Sequence, residues 1–211
     1  VRLGLFGGSF DPPHVGHLLV AQDALEALRL DHLLIIPAAQ QPLKGAHQTS
    51  AHHRLAMVRA CFEGVQGIEV DPVEIERGGL SFMVDTVEAV RRRWPDAHLH
   101  LLVGRDVVPT LPRWHDVDRL LSMVRLVVLT RDAAPQEGPL LIDAESDSGV
   151  VAEVLSTRQV DMSSTEIRSR VRDGRSIRGF VPDAVATYIA STGLYREYPR
   201  GSADTERSER A

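Results

Sequence analysis

The 211-residue sequence predicts an α/β fold: a doubly wound parallel sheet with helices on both faces and a small C-terminal helical appendage. Three observations lead there. Short apolar runs alternate with segments of helical period along most of the chain. The runs are continuously apolar rather than alternating, as in strands covered on both faces. The stretches between successive runs are long enough for helical crossovers between parallel strands.

The elements follow in order. Leu3-Gly4-Leu5-Phe6 reads as a buried strand entering a tight turn at Gly7-Gly8. After Pro12-Pro13, Leu18, Ala21, Leu25 and Leu28 fall at helical spacing. Leu33 to Ile36 is a second buried strand, stopped by Pro37. Residues 38–50 are polar and turn-rich, a long loop of the kind that commonly carries function. Leu55, Val58 and Phe62 mark a helix, and Ile68 to Val70 a short strand. Val84, Val87 and Val90 mark a helix ending near Trp94-Pro95. His98 to Val103 is a strand stopped by Gly104, Leu120 to Met123 closes a short helix, and Val124 to Leu129 is a strongly apolar strand. Residues 132–148 are acidic with Pro and Gly, a loop with room for one short strand. Ser164 to Arg172 and Asp183 to Ala190 are helices. The expected domain spans residues 1–196, its helical C-terminal part starting near 163, and the polar stretch 197–211 is expected to be a disordered tail.

Composition narrows the function. Hydrophobic residues make up 43%, enough for a proper core. The formal charge is −5, which argues against a general nucleic-acid binder while leaving room for a local basic pocket. Cys61 is the one cysteine, so no internal disulfide or cysteine metal site is expected, and its apolar helical setting reads as core. There is no secretory pattern and no apolar run of bilayer length, so the chain is expected to be soluble and cytoplasmic, without a membrane partner. Lysine occurs once, at Lys44; every other basic residue is arginine.

The first constellation with chemical content is Gly7-Gly8-Ser9-Phe10-Asp11-Pro12-Pro13-His14-Val15-Gly16-His17. In a parallel α/β sheet, ligands bind at the carboxyl ends of strands. Glycines there let the backbone come close to a ligand, and amides at a helix start attract phosphate. His14 and His17, three apart on the first turn, share a face. Two imidazoles beside such amides suit an anion that gains charge. The same histidine spacing also serves metal sites, although no carboxylate or cysteine partner for one is evident in the sequence.

The second constellation is Asp161-Met162-Ser163-Ser164-Thr165-Glu166-Ile167-Arg168. Ser163-x-x-Glu166 has the form of a capping box. Ser164 and Thr165 then sit at the positive end of the helix dipole, and Arg168, a turn further on, can fork onto phosphate oxygens. An ordinary capped surface helix has the same pattern.

Together these segments resemble the HxGH nucleotidylyltransferase superfamily, whose fold is a Rossmann-like parallel sheet. The resemblance implies that His17 stabilises the transition state and that His14 contacts the phosphates of ATP, with Gly8, Ser9 and Phe10 beside them. It implies that Ser163, Ser164, Thr165 and Arg168 hold the β- and γ-phosphates. Across residues 3–195 the chain is similar to the bacterial nicotinate mononucleotide adenylyltransferases. Gln41-Pro42-Leu43-Lys44, His53-Arg54-Leu55-Ala56-Met57, Gly104-Arg105-Asp106, Leu111-Pro112-Arg113-Trp114, Ser176-Ile177-Arg178, Val181-Pro182 and Leu194-Tyr195 all fit that pattern. The likeness places Gly104 and Asp106 at the ATP ribose, and Lys44, Phe82, Met83, Asp85, Thr86, Trp114 and Arg131 around the acceptor. In mid-chain the family commonly reads S-Y-T-x-D-T where this chain has Ser81-Phe82-Met83-Val84-Asp85-Thr86, so Met83 removes a hydroxyl near the nicotinate carboxylate.

The implied activity is AMP transfer from ATP to nicotinate mononucleotide. The implied cofactor is Mg²⁺ bound mainly through the ATP phosphates, with no protein metal site. No nucleic-acid partner is implied, and a homo-oligomer is compatible with the sequence. Phosphopantetheine adenylyltransferases share both phosphate motifs but lack Leu-Pro-x-Trp. A class I aminoacyl-tRNA synthetase or a non-catalytic nucleotide sensor would be a more distant reading.

Overall fold

The computed structural model describes residues 1–43, 45, 47–130, 140–142, 150–158 and 160–196. The tail expected at 197–211 and the acidic segment at 132–139 and 143–148 lie outside the described residues, as do Lys44 and Arg131.

Seven strands form one sheet in the order β3-β2-β1-β4-β5-β7-β6. They are β1 (Arg2–Gly8), β2 (His32–Pro37), β3 (Ile68–Val70), β4 (His98–Gly104), β5 (Arg125–Thr130), β6 (Leu140–Ile142) and β7 (Val150–Ser156). All neighbours are parallel except β6, which runs antiparallel to β7 at the edge. The strand order reverses direction between β1 and β4, in register from Arg2↔His98 to Phe6↔Leu102. In such sheets the crevice for a ligand opens at that reversal, beyond the carboxyl ends of the strands.

The period-2 geometry of the strands divides the core into two layers. Leu33, Ile35, Leu102, Val127 and Leu129 face one side. There they meet α1 (Val15–Ala27) and α2 (Ala51–Phe62) through Ala21, Ala24, Met57 and Val58. The same layer takes in α6 (Ser164–Arg172) and α7 (Asp183–Thr192) through Ile167, Val185 and Ile189. The predicted appendage therefore shares its core with the sheet. Leu3, Leu5, Leu34, Ile36, Leu101 and Val103 face the other side. They pack on α4 (Met83–Arg93), a 3-10 turn (Val108–Arg113) and α5 (Val117–Met123).

Three elements go beyond the sequence expectations. The short helix α3 (Val73–Arg77) and the 3-10 turn are five and six residues long, too brief for a periodic signal. Strand β7 follows the acidic segment and supplies the sixth parallel strand. Among the described residues, no helix is long and apolar enough to cross a membrane.

One buried cation fixes the loops that leave the sheet. Arg54, in the first turn of α2, is fully buried. It donates through Nε to the carbonyl of Thr49 at 3.3 Å, and through its two terminal nitrogens to those of Ser9 and Ala39 at 2.9 Å each. The exits of β1 and β2 and the loop before α2 are thus tied to one planar fork. Burial lowers the Arg54 pKa, an effect opposed chiefly by the charge of the nearby Asp11 carboxylate. Replacing Arg54 by Met fills the space but orphans three carbonyls. It should lower stability by about 3 kcal/mol or more. Urea unfolding measures this, and a loss under about 1 kcal/mol would show that the clamp is dispensable.

Candidate active site

The turn after β1 is built around its aromatic and imidazole rings. Phe10 adopts a left-handed φ of 49°. Its ring folds back over Gly8 and meets His17 edge-on at 5.0 Å. His14 is the N-cap of α1 with extended backbone. Its Nδ1 accepts the amide hydrogen of His17 at 3.3 Å, while Nδ1 of His17 accepts that of His14 at 3.2 Å. This is a capping box in which both partners are histidines. The rings stack with centroids 3.7 Å apart. Gly16 permits this, since a Cβ there would lie 3.0 Å from the His14 ring.

The reciprocal cap determines the tautomers. Each Nδ1 is an acceptor, so each neutral ring carries its hydrogen on Nε2. Protonating both rings would remove both caps and set two positive charges face to face. In the neutral form the pair thus has both hydrogens on Nε2, away from the cap. The amides at the start of α1 are less available than the sequence suggested. That of Val15 donates to the carbonyl of Phe180 at 3.0 Å, and that of His17 serves the cap.

The second motif docks on this turn across 150 residues of chain. Ser163 caps α6 by accepting the Glu166 amide at 3.1 Å. Ser164 Oγ donates to the carbonyl of Pro12 at 2.8 Å. Arg168 donates to the carbonyl of Asp11 at 2.8 Å and to Thr165 Oγ1 at 3.1 Å. Its Nε is buried with no hydrogen-bond partner among the described residues. The two predicted phosphate motifs are thus brought together at the end of β1. Ser9 lies on the same turn, its hydroxyl donating to Gln41 Oε1 at 2.7 Å.

On the other side of the reversal, β4 ends at Gly104. A Cβ there would sit 2.5 Å from Oδ1 of Asp106, so glycine makes room for a carboxylate curled over the strand end. Asp106 itself is exposed. Met83 opens α4, and its methyl lies 2.9 Å from where a Gly7 Cβ would be, which seats the thioether over the end of β1. Phe82 contacts the His115 ring at 4.5 Å. Trp114 is half-buried with its Nε1 donating to Thr110 Oγ1 at 3.2 Å, so one edge of the indole is fixed. Asp85 is half-buried in the first turn of α4.

Thr86 is fully buried and presents no atom to a ligand. Its hydroxyl donates to Glu74 Oε1 at 2.7 Å and accepts from Arg77 at 3.0 Å, tying α3 to the start of α4. Burial pushes the Glu74 carboxyl above the usual range. Sequence reasoning gave no role to Glu74, nor to Asp11, a carboxylate only 5% exposed inside the first motif. An acidic residue ahead of a proline, in a turn whose glycines and histidines suggest an anion site, was the available signal for Asp11. Cys61 is buried, and burial pushes its thiol up to about 12, so it is no nucleophile. Among the described residues, no group of three or more His, Cys, Asp and Glu side chains could hold a metal ion.

Residues 5–170 match the cytidylyltransferase-like family. The chain is 38% identical to a "probable nicotinate-nucleotide adenylyltransferase" of Herpetosiphon aurantiacus, over 92% of this chain and 98% of that protein. It is 40% identical to a relative of the same name in Roseiflexus sp., again over 92% and 98%. A Pseudomonas aeruginosa relative, also so named, is 38% identical over 92% and 97%. Among solved structures, the fold is similar to that of Plasmodium falciparum nicotinic acid mononucleotide adenylyltransferase complexed with NaAD. The TM-score is 0.72 at 17% identity, covering 92% of this chain and 97% of that one.

The cap separates the structural from the chemical part played by His14. His14→Ala should lower stability by about 1 kcal/mol and weaken nucleotide binding. His14→Asn, which keeps an acceptor at the cap, should recover the thermal midpoint but not the nucleotide affinity measured by calorimetry. Recovery of both would reduce His14 to a cap.

Proposed function

The chain belongs to the cytidylyltransferase-like family, and from that premise we propose that it transfers AMP from ATP to nicotinate mononucleotide. The products are nicotinate adenine dinucleotide and pyrophosphate, in NAD biosynthesis. The observation that carries the site assignment is the docking of the second phosphate motif on the first, through Ser164 to Pro12 and Arg168 to Asp11. That contact gathers two imidazoles, a helix N-terminus and a guanidinium beside the β1/β4 reversal.

The acceptor's phosphate oxygen, already ionised at neutral pH, attacks the α-phosphorus of ATP. The bond to the β-phosphate oxygen breaks, and pyrophosphate leaves with the electron pair. No proton has to be removed from the nucleophile, so catalysis is positioning and charge stabilisation. His17 donates Nε2–H to the α-phosphate as charge grows there, and His14 holds the phosphates beside it. Ser163, Ser164, Thr165 and Arg168 take the β- and γ-phosphates at the start of α6. Gly104 and Asp106 receive the ATP ribose at the end of β4. Trp114 and Phe82 offer aromatic surface to the pyridine ring, with Met83, Asp85 and the α4 start bounding that side. Thr86 shapes this side from within through Glu74, and Lys44 and Arg131 supply acceptor contacts. A magnesium ion bound mainly through the ATP phosphates would neutralise part of their charge, with Arg168 and the α6 N-terminus holding the phosphates around it.

Pyrophosphate release from Mg-ATP, with nicotinate mononucleotide and nicotinamide mononucleotide as parallel acceptors, tests the proposal. Turnover with the acid is expected to exceed that with the amide. Turnover with neither, but with phosphopantetheine, would move the chain to the sister transferases. His17→Ala should cut kcat by on the order of 10²–10³ while changing ATP affinity far less. Equal losses in both would remove its assigned role. Trp114→Ala should chiefly raise the KM for mononucleotide, and an unchanged KM would take the indole out of the site.

A further inference from the structure

Asp11 precedes the HxGH histidines and is the point where three distant segments meet. Its Oδ2 accepts the amide of Gln48 from the loop before α2, at 3.0 Å. Its carbonyl accepts Arg168 of α6. Its Oδ1 accepts the hydroxyl of Tyr195 at 2.6 Å, a bond spanning 184 residues. Short hydrogen bonds to a carboxylate are among the stronger ones in proteins.

Tyr195 reaches Asp11 by an uncommon backbone. Helix α7 ends at Gly193 in the left-handed region, and Tyr195 itself has φ 64°. A bulky residue keeps such a conformation only where its surroundings hold it. Here the ring packs among the residues of the α1/α2 layer, and the hydroxyl also lies 4.0 Å from Met57 Sδ. Burial, and then the bond to Asp11, raise the Tyr195 pKa, so the hydroxyl stays a donor across the working pH range.

We propose that Tyr195 is a positioning residue of the catalytic turn: through Asp11 Oδ1 it fixes the orientation of His14 and His17. The reason is geometric. Asp11 is three residues from His14, and its two carboxylate oxygens are held by separate segments, Oδ1 by Tyr195 after α7 and Oδ2 by the loop before α2. Removing one holder lets the carboxylate follow the other, and the turn follows the carboxylate. This inference rests on the adenylyltransferase reading for its kinetic test, but its spectroscopic test does not.

The experiment uses Tyr195→Phe, which keeps the ring and its packing, alone and with Asp11→Ala. Expected is a fall in kcat of about tenfold for Tyr195→Phe, with a smaller change in KM for ATP. In the Asp11→Ala background the same change should have almost no further effect. In imidazole ¹H–¹³C spectra, Tyr195→Phe should shift the His14 and His17 signals and leave those of His32 and His98 in place. A lowered thermal midpoint with unchanged kcat would make Tyr195 a mere anchor and overturn the proposal. So would an equal kcat loss in both Asp11 backgrounds, or unmoved His14 and His17 signals. If the wild-type chain released no pyrophosphate with any acceptor, the proposed function would fall, while the spectra would still decide this question.

Discussion

The guanidinium of Arg54 is the constraint on which the site depends. A parallel sheet brings the ends of β1 and β2 side by side but says nothing about where the chain goes next. Here both exits, at Ser9 and Ala39, and the loop return at Thr49 present carbonyls to one buried cation. An apolar side chain of equal size could fill the space but could not satisfy three acceptors. The desolvation cost of the charge is offset by carbonyl dipoles and by the field of the nearby Asp11 carboxylate. Because the fork is planar and its donors are fixed, it sets relative direction as well as distance. The turn carrying the histidines starts at Ser9, so its origin is held from below by Arg54 before any local contact acts.

Above that anchor, stability and chemistry share atoms. The same Nδ1 atoms that cap α1 also determine which nitrogen of each imidazole can face a phosphate. The hydroxyl of Ser164 that belongs to the phosphate motif also pins α6 to Pro12. Arg168 splits its nitrogens between the Asp11 carbonyl and Thr165, with Nε left over. A buried unsatisfied donor is costly in isolation and becomes favourable once an anion arrives.

What was legible in the sequence was what local physics decides. The β1 strand, the Gly7-Gly8 turn, the helix start near Val15 and the Ser163 cap each depend on residues within a few positions of one another. The apolar runs gave the parallel sheet because strands buried on both faces must be apolar throughout. Long-range contacts were not legible. Nothing near Arg54 indicates that its partners are Ser9, Ala39 and Thr49, and nothing near Tyr195 points to Asp11. The Val15 amide looks free in sequence because its partner, the Phe180 carbonyl, lies more than 150 residues away. Helix α3 escaped notice because five residues carry no period. Thr86 looked like a ligand contact from its motif, yet burial commits its hydroxyl to Glu74 and Arg77.

The strand ends at the reversal are covered by the protein's own side chains. Met83 sits over Gly7, and Asp106 curls over Gly104. Glycine at each place leaves a notch that a neighbouring element fills. Each covering group hangs from a separate element, the first turn of α4 in one case and the loop after β4 in the other. A ligand approaching either strand end therefore needs a side-chain rotation rather than a backbone shift, which costs little and happens fast. The two covers differ in kind: a carboxylate suits ribose hydroxyls on the β4 side, while a thioether suits an apolar or aromatic ring on the β1/α4 side. The polarity of the crevice is thus set by which neighbour each glycine admits. With α4 tied to α3 through Thr86, Glu74 and Arg77, the position of Met83 is held from inside the core, so the shape of this side of the crevice follows from buried hydrogen bonds.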